Sequence, residues 1–381
     1  MRLVFIVESG TDVRLVENLA GVFDLQVIAR RIVGGREISQ TPDAAVDLTV
    51  GPASFAGFGR RVLISLSRGR AAFDAALVQG YGLAALCANL AGWWTGRPVV
   101  MLVCSPTEAY YACRRLDAGG RPFRSVEWHA LRLLARLNAR IGQRYVVLSP
   151  YLAAVVRGHG TKRPVDIVPV YGVDARMFSP GHESRGALRA RLGLPASAAI
   201  LFFSSRVAPE KDPDTLLQAT RRLRAAGRDV RILHRSGNHR EFMSRASREG
   251  VADAVIAGEA VPPGPLLVDY YRASDVCVQA SREEGLGFSP LEALACRVPV
   301  VASAVGGLRD TIVDGETGWT YAAGNATALA EALSAALDDP GEASRRAERG
   351  RQLVLARYER ATVFTAFAEV MAATVPAGDA G

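Results

Sequence analysis

Short apolar runs alternate along this chain with longer stretches in which apolar residues recur every three or four positions. Residues 3–7, LVFIV, form the first run. It ends in a polar loop, Glu8-Ser9-Gly10-Thr11-Asp12, after which Val13, Val16, Leu19 and Ala20 mark one face of a helix. Further β runs follow at 25–29, 75–78, 99–104, 145–149 and 166–169, and Leu83, Leu86, Cys87 and Leu90 give the helix between the second and third of these. A strand buried on both faces reads as a continuous apolar run, and a covering helix reads as an amphipathic one. The alternation predicts a parallel sheet with helices on its faces.

Residues 181–194 are polar and charged, with Gly193 and Pro195 as punctuation, and read as a connection between domains. A second set of β runs begins beyond it, at 199–204, 230–233, 254–257, 275–279 and 298–302. With 381 residues, two domains are expected. The first covers 1–180 and is rejoined by a terminal helix at 358–373, and the second covers 181–357. The predicted fold is α/β, with two Rossmann-like doubly wound parallel-sheet domains facing a cleft.

The most informative stretch is 280–307, ASREEGLGFSPLEALACRVPVVASAVGG. Glu284 sits in a glycine-bearing loop after a strand, and Glu292 falls in the helix that follows. Pro290 suits the first turn of that helix, with Ser289 as its N-cap. The start of a helix favours phosphate through unpaired N–H groups and partial positive charge. Gly306 and Gly307 let backbone N–H groups approach an anion, and the two carboxylates can accept hydrogen bonds from sugar hydroxyls. Earlier in this half, Arg206 and Lys211 in Ser205-Arg206-Val207-Ala208-Pro209-Glu210-Lys211-Asp212 can pair with phosphate oxygens, as a two-point guanidinium beside a compact ammonium. Asp212-Pro213-Asp214 imitates a metal-binding D-x-D. Asp212 is better placed as an N-cap, with Pro213 in the first helical position. No ligand-spaced carboxylate or histidine cluster occurs elsewhere, since His234 and His239 lie five apart in a Gly-Asn loop. No metal and no cofactor is expected.

Taken together, E-G-x-G-x-x-P-x-E-A, P-V-V-A-x-x-V-G-G and the Arg206/Lys211 loop resemble the E-x7-E signature of retaining GT-B glycosyltransferases, family four in particular. The segment Val168-Pro169-Val170-Tyr171-Gly172-Val173-Asp174 resembles the turn that ends the first domain of that family, with Tyr171 in place of Asn. The resemblance implies transfer of a hexose-like sugar from a nucleotide diphosphate donor to an acceptor hydroxyl, with anomeric configuration retained. Arg206 and Lys211 would hold the diphosphate, Glu284 the donor sugar and Glu292 the ribose. Gly287, Phe288, Ser289, Gly306 and Gly307 would offer N–H groups, and residues 258–261 would lie beneath the nucleobase. In the first domain the chain departs from the family. A loop that usually has two glycines holds only Gly10, with Arg14 one turn into the helix, and a loop that often carries a histidine holds Glu108 and Tyr110 instead. These four residues are candidates for the donor or acceptor side. A tight turn at Gly10, a solvated Arg14 and a helix start at Glu108 are the plain alternatives.

Composition narrows the partners. A net charge of +8 favours an anionic partner such as a nucleotide diphosphate, an acidic acceptor or a lipid headgroup surface, though an arginine-rich composition alone would give the same sum. No nucleic-acid partner is expected, and the acceptor is left open among a saccharide, a lipid and a small molecule. Five cysteines without a C-x-x-C pair suggest buried free thiols in a cytoplasmic protein. The first residues form a strand rather than a signal peptide, and no apolar run reaches the roughly 20 residues that span a bilayer. Over 126–141, Arg132, Arg136 and Arg140 recur on one side of a helix opposite Trp128, Leu131, Leu134 and Ile141. The favoured reading is a sheet-covering helix with a solvated arginine face, and the other is peripheral contact with the inner face of the plasma membrane. Two other functions fit a doubly wound chain. A nicotinamide-dependent oxidoreductase needs G-x-G-x-x-G directly after a strand, which is absent. A sugar-nucleotide-binding regulator without transferase activity would keep the motifs of the second domain.

Overall fold

The computed structural model describes residues 1–33, 35–42, 46–68 and 73–375. The chain divides into two compact units. The first comprises Met1–Ala112, Arg121–Gly172 and the chain from Ala361, and the second comprises Cys113–Gly120 and Val173–Arg360.

The first unit is built on a seven-stranded sheet of β1 (Arg2–Val7), β2 (Asp24–Arg30), β3 (Asp47–Gly51), β4 (Ala75–Gln79), β5 (Val99–Val103), β6 (Arg144–Val147) and β7 (Val165–Ile167), in the order β3-β2-β1-β4-β5-β6-β7. The second has a six-stranded sheet of β8 (Ala199–Phe202), β9 (Val230–Arg235), β10 (Val255–Gly258), β11 (Val276–Gln279), β12 (Val300–Ser303) and β13 (Trp319–Tyr321), in the order β10-β9-β8-β11-β12-β13. All the strand pairings described are parallel. Each sheet starts in its middle, winds outward one way for three strands and then the other way, as in the doubly wound dinucleotide fold. The expected pair of Rossmann-like domains is therefore present.

Continuous apolar runs give the central strands, as a sheet covered on both faces requires. Phe5, Ile6, Leu77, Val78, Val100 and Met101 are fully buried in the first unit. In the second, Leu201, Ile232, Val276, Val278 and Val301 pack with Leu216, Leu217, Phe242, Leu329 and Leu333 from the covering helices. Two elements escape the periodicity. The edge strand β3 has the exposed pattern DLTVG, and the helix Phe55–Arg68 carries Gly57 and Gly59. An edge strand lacks two-sided burial, and glycine lowers helix propensity. All five cysteines are free, but only Cys277 and Cys296 are buried, whereas Cys87, Cys104 and Cys113 are partly exposed. Among the described residues, no helix is long and apolar enough to cross a membrane.

Candidate functional site

Ligands of doubly wound sheets bind beyond the carboxyl ends of the strands, where the strand order reverses. In the second unit that point lies between β8 and β11. The loop after β8 turns through the short helix Pro209–Lys211 into the helix Pro213–Ala225. Asp212 caps the longer helix, with φ of +46° and its carboxylate bonded to Thr215. It also takes an ion pair from Arg282, so it is committed to architecture. The main-chain oxygen of Glu210 accepts from the Arg282 N–H at 2.9 Å, which holds the loop after β11 against the loop after β8.

Within these loops Lys211 Nζ lies 2.5 Å from Glu284 Oε2, with only 14% and 8% of the two side chains exposed. Gln279 and Ser281 donate to the same oxygen at 2.9 and 3.1 Å, so one carboxylate oxygen collects a cation and two neutral donors. Ser205 in turn donates to Gln279. The Gly307 N–H donates to the Glu284 main-chain oxygen at 3.0 Å. A Cβ on Gly307 would fall 2.2 Å from the Gly285 oxygen, so only glycine permits this approach. Gly306, before it, has φ of +47°. Arg206 pairs with buried Glu210 at 2.7 Å while more than half of its side chain stays exposed. Burial pushes the Glu210 carboxyl up, but hydrogen bonding from Arg114, together with the charges of Arg114 and Arg206, brings it below the usual carboxylate range.

The helix expected to start at Pro290 with Ser289 as its cap begins two residues earlier. It spans Phe288–Ala295, with Gly287, φ +92° and in a left-handed conformation, at the N-cap, where glycine has no side chain to offer. A Cβ on Gly287 would meet Leu308 at 2.5 Å, and this tight turn starts the helix early. Pro290 remains within the first turn, where its missing N–H costs nothing. Glu292 is buried one turn further on and accepts from the Tyr271 hydroxyl at 2.8 Å. Burial and the Glu292 charge push Tyr271 well above its ordinary range, so it stays protonated and donates.

Lys211, Glu284, Gly306 and Gly307 are thus brought together, with Arg206 linked to them through the Pro209–Lys211 turn and Glu292 held by the adjoining helix. Sequence reasoning missed Gln279, Ser281 and Tyr271. Gln279 left a signal, as a polar residue ending the apolar strand VCVQ.

The first unit reverses its strand order between β1 and β4. Gly10, φ +84°, lies in a loop clamped to 37–39 through Thr11 and Ser39 main-chain bonds, and the Arg14 guanidinium is bound twice by Asp12. Both positions carry local architecture. Glu108, at the start of the helix Thr107–Asp117, accepts from the Tyr81 hydroxyl at 3.0 Å and lies 2.9 Å from His159 Nε2. Burial pushes Glu108 up, but the hydrogen bond and charge of His159 pull it below its ordinary value. His159 comes from the end of the helix Pro150–Gly158, and nothing in its sequence neighbourhood signals that it meets Glu108. Tyr110, on the same helix as Glu108, is partly exposed. Glu8, which follows β1, accepts from the Ala84 N–H at 3.0 Å. Burial raises its pKa against the pull of that bond and of Arg30. Gly82 is needed there, because a Cβ would fall 1.9 Å from the Glu8 carboxylate. Among the described residues, no group of three or more His, Cys, Asp or Glu could hold a metal ion.

Residues 184–353 match the model of the family described as Glycosyl transferases group 1. The chain is 39% identical over 194 residues to D-inositol 3-phosphate glycosyltransferase of Xylanimonas cellulosilytica, covering 49% of this chain and 46% of that protein. The namesake from Thermobispora bispora is 35% identical over 226 residues, covering 54% and 52%. The chain spans about half the length of the curated relatives it matches. Among solved structures, sucrose-phosphate synthase of Thermosynechococcus elongatus matches with a TM-score of 0.80 and 20% identity, over 99% of this chain and 100% of that one. Anabaena HepE in complex with UDP matches with 0.76 and 16%, over 98% and 100%. At these identities the likeness is one of fold, that of GT-B structures.

Proposed function

We propose, on the premise that residues 184–353 form a glycosyl transferase group 1 domain, that the protein transfers a hexose-like sugar from a nucleotide diphosphate sugar to an acceptor hydroxyl with retention of anomeric configuration. The observation that carries this reading is the convergence of Lys211, Glu284 and the Gly306-Gly307 turn at the switch point of the second sheet. In the reaction the bond between the anomeric carbon and the diphosphate oxygen breaks, and charge builds on the leaving diphosphate. Lys211, Arg206 and main-chain N–H groups about Gly306 and Phe288 stabilise that charge, usually the largest single contribution to catalysis. The acceptor oxygen bonds to the anomeric carbon on the face the diphosphate leaves, and its proton passes to a diphosphate oxygen. Lys211 is held by Glu284. Donor binding would draw Lys211 onto phosphate and free the carboxylate for sugar hydroxyls. Glu292 would meet the ribose. The named partner of HepE, UDP, supports a nucleotide ligand for this fold.

No metal is required in this scheme, because the cations come from side chains, and turnover should survive EDTA. The acceptor is a saccharide, lipid or small molecule. The arginine row of the helix Val126–Ile141 and the Trp93-Trp94 pair, 82% and 80% exposed, support peripheral contact with an anionic membrane face; flotation with acidic liposomes tests it, and no binding removes it. The activity itself is tested by incubating the protein with UDP-, GDP- and ADP-sugars and a panel of acceptors while following nucleotide release. Acceptor-dependent release from at least one donor is expected. Binding without turnover under any acceptor would favour a sugar-nucleotide-binding regulator instead.

A further inference from the structure

Arg235 closes β9, one strand out from β8 and next to β10. Its guanidinium lies over the Tyr270 ring, 5.1 Å from the centroid. It packs so closely on the end of β10 that a Cβ on Gly258 would fall 1.7 Å from its Nη1. The Nε is shielded from solvent and has no hydrogen-bond partner. Among the described residues no carboxylate pairs with this guanidinium. The other arginines at this edge do have carboxylates, Arg206 with Glu210 and Arg282 with Asp212. The nearby Glu259 is 89% exposed and reaches only His239, at 3.8 Å. A cation held partly out of water without a partner is costly, and a ligand with acceptor atoms would remove that cost.

The position limits what that ligand can be. The residues assigned to the diphosphate lie at the ends of β8, β11 and β12, and neighbouring strands are about 4.8 Å apart. The carboxylate assigned to the ribose, Glu292, is bonded to Tyr271, and the adjoining Tyr270 carries Arg235. A nucleotide with its diphosphate and ribose on those groups would carry its base outward along the sheet, toward the ends of β9 and β10 where Arg235 lies. A guanidinium only donates. It matches O6 and N7 of guanine in a two-point contact, and it can donate to the carbonyl oxygens of uracil. Adenine presents an amino group where guanine has O6, setting donor against donor. We propose that Arg235 reads the nucleobase of the donor and selects a base with carbonyl oxygens, guanine or uracil, over adenine. The inference rests on the nucleotide-sugar reading of the second unit.

The test is calorimetric titration of the full chain with GDP, UDP, ADP and inorganic pyrophosphate at fixed ionic strength, comparing wild type, Arg235→Ala and Arg235→Lys. GDP or UDP should bind at least about tenfold more tightly than ADP, and Arg235→Ala should remove that margin while leaving ADP and pyrophosphate unchanged. Arg235→Lys keeps the charge but loses the fork, so its loss should be intermediate. If Arg235→Ala melts near the assay temperature, Arg235→Lys carries the comparison. Equal affinity of the wild type for all three nucleotides overturns the inference and leaves the donor reading standing. So does equal weakening of every ligand, pyrophosphate included, by Arg235→Ala. Absence of binding by any of the four ligands overturns both.

Discussion

The two sheets wind in the same order and reverse at equivalent places, yet the two edges carry different chemistry. The second unit gathers Arg206, Lys211 and Arg235 with glycine turns and the start of the helix Phe288–Ala295. The first gathers Glu8, Asp12 and Glu108, with His159 and Tyr81 against the last of these. Anions suit the former edge, whereas hydroxyls and other hydrogen-bond partners suit the latter. Topology supplies an edge where loops converge, and the loop residues decide what is bound there. The contrast fits the proposed transfer, which needs one site for a charged leaving group and another for a neutral attacking hydroxyl.

The contrast can be broken at four points, from the largest effect to the smallest. Lys211→Ala and Arg206→Ala should each lower turnover by at least about a hundredfold, the scale of a lost contact to transition-state charge. Steady-state kinetics on the identified donor would show it, and wild-type rates for Lys211→Ala would end the assignment of this edge to diphosphate. Gly307→Ala pushes a methyl group into the Gly285 backbone. It should cost about 1–3 kcal/mol of stability, as overpacking does, measured by urea unfolding. A neutral outcome would mean that the close approach of the two loops is loose.

Glu108→Gln loses the charge facing His159. Turnover should fall about tenfold, the size of one hydrogen bond to a charged group, with the donor KM unchanged. A raised donor KM with unchanged kcat would show that the first edge also serves the donor, and the contrast would blur. The last test concerns His234, which is buried between Phe203 and Phe242 with its pKa lowered from 6.5, first by burial and then by the charges of His239 and Arg235. Below pH 6.5 the unfolded chain binds a proton that the folded chain refuses until its own lower pKa is reached. Stability should therefore fall as pH drops through that window, by at most about 1.4 kcal/mol per pH unit for one group. His234→Phe should flatten this part of the profile in melting experiments across pH. An unchanged profile would mean that the ring binds its proton equally well in the folded and the unfolded chain.

Much of this was legible in the chain itself. The apolar runs LVFIV and AILF announce strands that helices cover on both faces, and their order of appearance announces two parallel sheets. The Arg206/Lys211 loop and the stretch from Ala280 to Gly307 announce an anion-binding edge, because turn glycines, helix starts and cations act through backbone geometry that is set locally. The tertiary structure decided which distant groups meet. It set His159 against Glu108, closed Lys211 onto Glu284, moved the helix start from Pro290 to Phe288 and laid Arg235 over Tyr270 with no carboxylate beside it among the described residues. Periodicity is a property of neighbours in sequence, whereas these contacts depend on strand order and on the packing of loops that no local pattern encodes.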